Sequence, residues 1–484
     1  MGQNGQTHQT QCGLSMKTDD LIQEIANYAH SLSSINAQAA HNASLCLMDS
    51  LACAYASLSD PLCTIRLGPV IAGTMVPGGM PIFGTNHVLD PIKAAFDISC
   101  MVRWLDFSDT TFTGGHPSDN LGAILAAAHY RDELNRQSAK APITMQEVML
   151  AMAGAYEIQG MLAHKNKIDS LALGLDHVFF VKVASAAMAC KLLGGDEEQI
   201  AAALGNVFLD GAALNAYRQV PNAGTRKGWA GADASSRGLW HAMAAMKGEM
   251  LYPSPLTHSD WGFEKIALKG QRLTLDLEPQ KTFVMENVIF KLVPCQRSTT
   301  TAFEAAAQLK PWLNQRFDEI KRIIITSHDE AIKRTAKVGP LSTPAARDHN
   351  LQYVTALGLL EGHIESAMYE AEFAANPRVD FLRELMLVEE DPIYSRDHHD
   401  FKVRSCANAV QIELKDGLLS PKVEVLFPMG DPSQRNRLGL GLREKFLRYC
   451  QPHRPETLNE LVNLFDDARA LQQLSLREWM GYFF

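Results

Sequence analysis

From residue 18 to about residue 250 the chain repeats one pattern. Alanine-rich apolar runs recur on helical spacing, as in "NASLCLMDSLACAYASL", "NLGAILAAAHYRDELNR", "TMQEVMLAMAGAYEIQGML" and "HVFFVKVASAAMACKLLG". Small side chains let helix axes approach closely, so a compact bundle of many helices is expected. The first of them opens at Asp19, where Leu21, Ile22, Ile25, Ala26 and Ala29 fall on one stripe. Past about residue 265 the texture changes. β-Branched runs at 321–328, 409–417 and 422–430 read as strands, separated by helical segments at 300–312, 348–361 and 378–388. From about residue 433 the chain returns to helix.

At 484 residues the chain exceeds one ordinary core, and two domains are expected. Apolar residues at 46% and charged residues at 20% place it among folded globular proteins. A net charge of -9 with no long basic block excludes nucleic acid as a partner, while a local Lys/Arg cluster in a cleft still suits a small anion. Nine cysteines are scattered without a CxxC pair, so neither zinc nor an iron–sulfur cluster has support, and reduced thiols in a cytoplasmic compartment are expected. The first 17 residues are polar and read as a disordered tail without a secretory or mitochondrial signal. No run approaches the ~18 apolar residues that span a bilayer.

Polar chemistry gathers in a few places. "WLDFSDTTFTGGHPSDN" (104–120) holds Asp106, Asp109 and His116 ahead of Ser118, Asp119 and Asn120. The last three suit a helix start and read as caps; the first three exceed that need. "GLDHVFFVKVASA" places Asp176 and His177 at the entry of an apolar helix. "YRQVPNAGTRKGWAGADASSRG" spaces Arg218, Arg226, Lys227 and Arg237 with glycines, a loop that either lies in solvent or clamps an anion. Lys291 interrupts an apolar run ahead of Arg297, and a lysine there either reaches out to water or serves a site. "PAARDHNLQY" offers Arg347, Asp348, His349 and Tyr353 at a helix start.

The segments "DFSDT...GGHPSDNLGAIL", "GLDHVFFVKVAS", "NAGTRKGWAGADASSR", "MENVIFKLVP" and "ARDHNLQY" resemble, in order and over almost the whole chain, those of the MmgE/PrpD family of 2-methylcitrate dehydratases and cis-aconitate decarboxylases. The resemblance implies a mainly α fold with an α+β part. A large all-helical domain (18–275) would be completed by C-terminal helices (433–484), with a smaller α+β lid (276–432) inserted between them. It implies an active site between the domains that needs no metal or other cofactor. Carried over by motif, the catalytic residues are Asp106, His116, His177, Lys227, Lys291 and Tyr353, with Arg226 the alternative to Lys227. Asp109, Arg226, Arg297 and Arg347 are the residues expected to bind the substrate, and Lys227, Arg226, Lys291 and Arg297 those expected to hold its carboxylates.

The decarboxylase branch carries a histidine after the lysine segment where this chain reads "CQRSTT", which favours the dehydratase branch. The implied reaction is elimination of water from 2-methylcitrate in propionate catabolism, with citrate or cis-aconitate as further substrates. The alternatives are itaconate-forming decarboxylation of cis-aconitate and a non-catalytic tricarboxylate binder. Elimination without a metal needs a base for the C–H proton, an acid for the hydroxyl and cations for the carboxylates. Asp106, His116 and His177 are the acid–base candidates, with the two histidines unassigned between the roles. A homodimer is expected by analogy with the family.

Overall fold

The computed structural model describes residues 18–484 apart from 220, 221, 223, 454 and 455. The N-terminal tail read from the sequence lies outside the described residues.

The alanine-rich runs form helices α1 (Asp20–Ser31), α2 (Ala37–Ser57), α3 (Pro91–Arg103), α4 (Leu121–Gln137), α5 (Met145–Lys165), α6 (Val178–Leu192), α7 (Glu197–Leu209) and α8 (Ala230–Ala245). Their starts obey local chemistry. Asn36 caps α2, Asp90 caps α3 with Pro91 at its first position, and Thr144 with Glu147 and Asp196 with Gln199 close capping boxes on α5 and α7. Asp19 does not cap α1; its carboxylate accepts from Leu256 N and the Thr257 hydroxyl, tying α1 to the loop past α8. Helix α6 is buried on all sides, as its unbroken apolar sequence requires.

Beyond residue 290 the architecture becomes α+β. Helices α9 (Arg297–Leu313) and α10 (Leu351–Leu360) pack with a four-stranded sheet of β1 (Ile320–Ser327), β2 (Met386–Glu390), β3 (Asn408–Leu414) and β4 (Val423–Val425). The order is β2-β1-β3-β4, with β1 parallel to β2 and antiparallel to β3; Ile323 pairs with both Met386 and Ile412. Strand β2 occupies what the sequence reads as the end of a helix at 378–388. The helix there stops at Glu384, and Met386 to Glu390 pair with β1. Helix α11 (Arg435–Cys450) returns to the bundle.

Two large hydrophobic cores result. The first gathers residues between Leu21 and Phe290 together with Leu438, Leu442, Phe446 and the C-terminal helices. The second gathers residues between Cys295 and Leu414. The chain passes from one core to the other between Phe290 and Cys295, directly across Lys291. Phe290 N–H donates to Gly430 O at 3.0 Å, an approach that requires glycine, because a Cβ at 430 would lie 1.9 Å from the Phe290 carbonyl oxygen. No helix among the described residues is long and apolar enough to cross a membrane.

Candidate active site

Helix α3 ends at Arg103 and releases the chain into the polar loop before α4. Three residues on, Asp106 adopts a φ of +50°, a left-handed conformation that costs a non-glycine residue roughly 1 kcal/mol or more and persists only where surroundings hold it. The surroundings are cationic. Asp106 Oδ1 accepts from Arg103 Nη1 at 2.7 Å and Lys291 Nζ at 2.9 Å, and lies 3.1 Å from His116 Nε2. Its Oδ2 lies 3.2 Å from Lys227 Nζ and 3.6 Å from His349 Nε2. Lys291 also donates to the Asp106 carbonyl.

Two backbone devices bring these distant segments together. Thr110 and Ile289 form an antiparallel bridge, with Thr110 N–H donating to Ile289 O at 2.7 Å and Ile289 N–H returning to Thr110 O at 2.9 Å. Lys445 of α11, buried and paired with Asp49 at 2.7 Å, donates to the carbonyls of Phe107 at 2.6 Å and Lys291 at 3.1 Å. Helix α11 therefore fixes the backbone beside Asp106 and the backbone of Lys291 through one ammonium.

Burial alone would raise the Asp106 pKa; Arg103, Lys291 and Lys227 overcome it and hold the carboxyl well below the usual range, so it is ionised. A carboxylate held this way is a weak base. Its work is to orient the groups around it. Burial, followed by the charge of Arg103, holds His116 well below the ordinary histidine value, so its ring is neutral at pH 7. With Nε2–H directed at Asp106, the lone pair sits on Nδ1, 3.3 Å from the Ser108 hydroxyl. Burial, opposed by Asp106, pulls Lys291 below the usual lysine value. His349 is likewise lowered by burial and then by Lys227. It pairs through Nδ1 with Asp348 at 2.6 Å, and Asp348 accepts from Lys227 at 2.7 Å. Three cations, Arg103, Lys227 and Lys291, thus face two ionised carboxylates, Asp106 and Asp348, while a third acid, Asp119, lies 3.7 Å from Arg103 and is raised by burial to about 7. The surplus is positive, as a polyanionic ligand requires.

The profile of the MmgE/PrpD N-terminal domain matches residues 23–276, and that of the MmgE/PrpD C-terminal domain matches residues 293–467. The chain belongs to the MmgE/PrpD family. Among its MmgE/PrpD relatives, the 2-methylcitrate dehydratase of Cupriavidus necator is 40% identical over 96% of this chain and 97% of its own length. That of Escherichia coli K12 is 39% identical over 96% of each chain. The mitochondrial 2-methylcitrate dehydratase of Yarrowia lipolytica is 39% identical over 91% of this chain and 85% of its own.

The other residues expected from the MmgE/PrpD motifs divide. Of the basic pair, Lys227 enters the cluster, whereas Arg226 turns away to Asp233 at 2.9 Å and lies over the Trp229 ring. His177 lies behind Gly115, its Nδ1 3.4 Å from Asp176 Oδ1 and its buried Nε2 without a hydrogen-bond partner among the described residues. Burial leads in holding it down to about 4, so it too is neutral. Asp109 faces away from the cluster: it accepts from Tyr156 OH and from Ser118 N–H at 3.3 Å, and burial raises it.

Tyr353 and Arg347 are turned from the cluster. Tyr353 OH donates to Met368 O at 2.6 Å inside the second core, and Arg347 donates to Tyr369 O at 2.6 Å. The hydroxyl that feels Asp348 and Asp106 belongs to Tyr369, and it has no hydrogen-bond partner among the described residues. Nothing in the sequence around Tyr369 marked it. Arg103 was equally hidden, inside the apolar stretch "SCMVRWL"; a buried arginine there needs a partner, and that need was the available signal.

The expected cap residues before α4 do no capping. Pro117–Asn120 form a 3-10 turn, and Asn120 spends its amide on Pro117 O, Gln159 and Ser185. Asp119 is fully buried with both oxygens lacking a hydrogen bond, 3.7 Å from Arg103 Nε. It fits only because residue 231 is glycine, since a Cβ there would come within 2.4 Å of its carboxylate. Burial raises its pKa to about 7.

Asp106, Asp348 and His349 present ligand atoms within 4.8 Å of one another, as metal ligands would. Both Asp106 oxygens, however, already carry cationic partners, so a divalent ion would face Arg103, Lys227 and Lys291 at contact range. The three cations around these ligand atoms suit an anion and oppose a metal ion.

Proposed function

We propose that the chain catalyses elimination of water from 2-methylcitrate, with His116 as the base and Lys291 as the acid. One observation carries the reading: His116 Nε2 and Lys291 Nζ meet the same oxygen of Asp106, at 3.1 and 2.9 Å. The neutral His116 takes the proton from the carbon beside a carboxylate, the C–H electron pair becomes the new double bond, and the C–O bond breaks. Lys291 gives its proton to the departing hydroxide, which leaves as water. Solvent then takes the gained proton from His116 and restores the one lost by Lys291, while Asp106 keeps both groups oriented from Oδ1. Lys227 holds a substrate carboxylate, and the Tyr369 hydroxyl hydrogen-bonds the substrate. Burial makes both transfers feasible near neutral pH, because it lowers the histidine and the lysine together.

The two cores are read as two domains joined at Lys291, the second acting as a lid that brings His349 onto the first. A homodimer in the cytoplasm completes the reading, and size-exclusion chromatography checks the first half of that. The test of function is the ultraviolet absorbance of the unsaturated acid formed from 2-methylcitrate in the presence of a chelator. Formation of 2-methyl-cis-aconitate is expected. Release of carbon dioxide from cis-aconitate, without reaction of 2-methylcitrate, would reassign the site to decarboxylation.

A further inference from the structure

A second group of polar side chains lies at the seam between the two cores and takes no part in the chemistry around Asp106. Arg297, at the start of α9, makes no hydrogen bond or ion pair among the described residues, and its Nη1 is buried without a partner. Asn408 donates to Ser298 O at 2.9 Å and the Thr301 hydroxyl to Cys406 O, which sets the start of α9 against the segment that carries Arg404. The Arg297 charge adds to burial in lowering His328, His398 and Arg404, and opposes the burial that raises Cys406. Arg404 stands in the left-handed region at φ +52°, with its guanidinium 5.7 Å from the Phe112 ring of the first core and 5.0 Å from the Phe401 ring. Its Nε is also buried and unpartnered.

The two histidines complete the arrangement. His328 is fully buried, and its Nδ1 accepts from Ala331 N–H at 3.3 Å, which places the proton of the neutral ring on Nε2. That Nε2 has no hydrogen-bond partner among the described residues. His398 stacks against it with ring centroids 3.8 Å apart and 19° between planes, and its Nδ1 donates to Ser405 O at 2.8 Å. The acids around the group are committed elsewhere: Asp329 to His399 at 2.9 Å, Asp431 to Ser433 at 2.7 Å, and Asp400 to Lys402 N–H at 2.8 Å.

Two neighbouring arginines without a carboxylate repel each other, and an unpaired buried donor carries its full desolvation cost. Three such donors in one neighbourhood, Arg297 Nη1, Arg404 Nε and His328 Nε2, describe a site built for a ligand of opposite charge. The imidazoles of His328 and His398 with the Cys406 thiol also present ligand atoms within 4.8 Å of one another. A metal there would sit beside the Arg297 charge, between rings too nearly parallel to direct both lone pairs at one ion. An anion meets neither obstacle.

We propose that Arg297, Arg404 and His328 form an oxyanion site at the seam between the cores, taking a carboxylate or phosphate group of a small molecule. The oxyanion has two sources. It is either the distal carboxylate of the substrate held at Asp106, which rests on the dehydratase reading, or a free anion bound independently of turnover.

Isothermal titration of the full chain with citrate and with inorganic phosphate decides the matter, using Arg404→Gln and Arg297→Gln beside the unaltered protein. Loss of one charge-assisted hydrogen bond corresponds to roughly 10-fold to 100-fold in affinity. Weakened citrate binding, a raised KM with kcat retained and competition by phosphate identify the substrate's own carboxylate. Weakened phosphate binding with citrate unchanged identifies an independent anion, and stands even if 2-methylcitrate proves not to be a substrate. Arg404→Lys keeps the charge and serves where the glutamine variant fails to fold; it too is expected to bind more weakly, having lost the fork. Unchanged affinity of all three variants for both probes, or binding of neither probe by the unaltered protein, overturns the proposal.

Discussion

Lys291 and Asp106, 185 residues apart, meet at 2.9 Å with the lysine also donating to the Asp106 carbonyl. One side chain thus satisfies both the charge and the strained backbone of the other. Asp106→Asn would leave Arg103, Lys227 and Lys291 buried together without their shared carboxylate. A loss of about 3–5 kcal/mol is expected, as for removal of one partner from a buried ion pair, read by urea unfolding. A loss below about 1 kcal/mol would show that the cations relax to water.

The pH dependence of kcat/KM reports the free enzyme. His116 and His349 are both held below the ordinary histidine value by burial and neighbouring cations. The acid limb of the profile is therefore expected well below pH 6.5, with rate retained through the range where an exposed histidine would charge. An acid limb centred at the ordinary histidine value would contradict the neutral, buried base.

Asp119 gives a stability test with a definite sign. Its folded pKa is raised to about 7 from 3.8, so the folded state holds a proton that the unfolded state releases between those values. Stability from this group is present below about pH 4 and lost as pH rises towards 7. Asp119→Asn is expected to gain stability at pH 8 relative to the unaltered protein, and to gain less at pH 5. Thermal melting at both values checks this; the opposite order would mean that Asp119 is ionised and held by Arg103.

Two tyrosines separate a fold role from a site role. Tyr353→Phe removes one bond to a carbonyl inside the second core, and a cost of about 1 kcal/mol with turnover unchanged is expected. Tyr369→Phe removes a buried hydroxyl that has no partner among the described residues and feels the charges of Asp348 and Asp106, and a turnover loss of about tenfold is expected. Steady-state rates and urea midpoints on both variants check the assignment.

The legible parts of the sequence were those governed by local rules. Helical periodicity located α2, α5 and α6, and the β-branched runs located β1 and β3, because each pattern reflects the face its own segment buries. Strand β2 was hidden because "MLVEE" has one buried position and is held by pairing with β1 rather than by its own pattern. At the site, Asp106, His116, Lys227 and Lys291 came from motifs, and the structure brings these four together. Arg226, Asp109, Arg347 and Tyr353 share the motifs yet turn elsewhere, since spacing along a loop does not fix which side of it faces the cluster. Lys445 could not be read at all: its partners, Asp49, Phe107 and Lys291, come from three remote segments.

The central claim is that His116 and Lys291 work as a base and acid joined by Asp106. Single-turnover formation of the unsaturated acid from 2-methylcitrate, measured with His116→Ala and Lys291→Met in a chelating buffer, tests it directly. Each variant is expected to lose at least about 100-fold in rate, the range of general acid–base catalysis, with circular dichroism of the unaltered protein and no effect of the chelator on the latter's rate. Turnover by either variant at the full rate, or loss of the unaltered protein's activity on chelation, would contradict it.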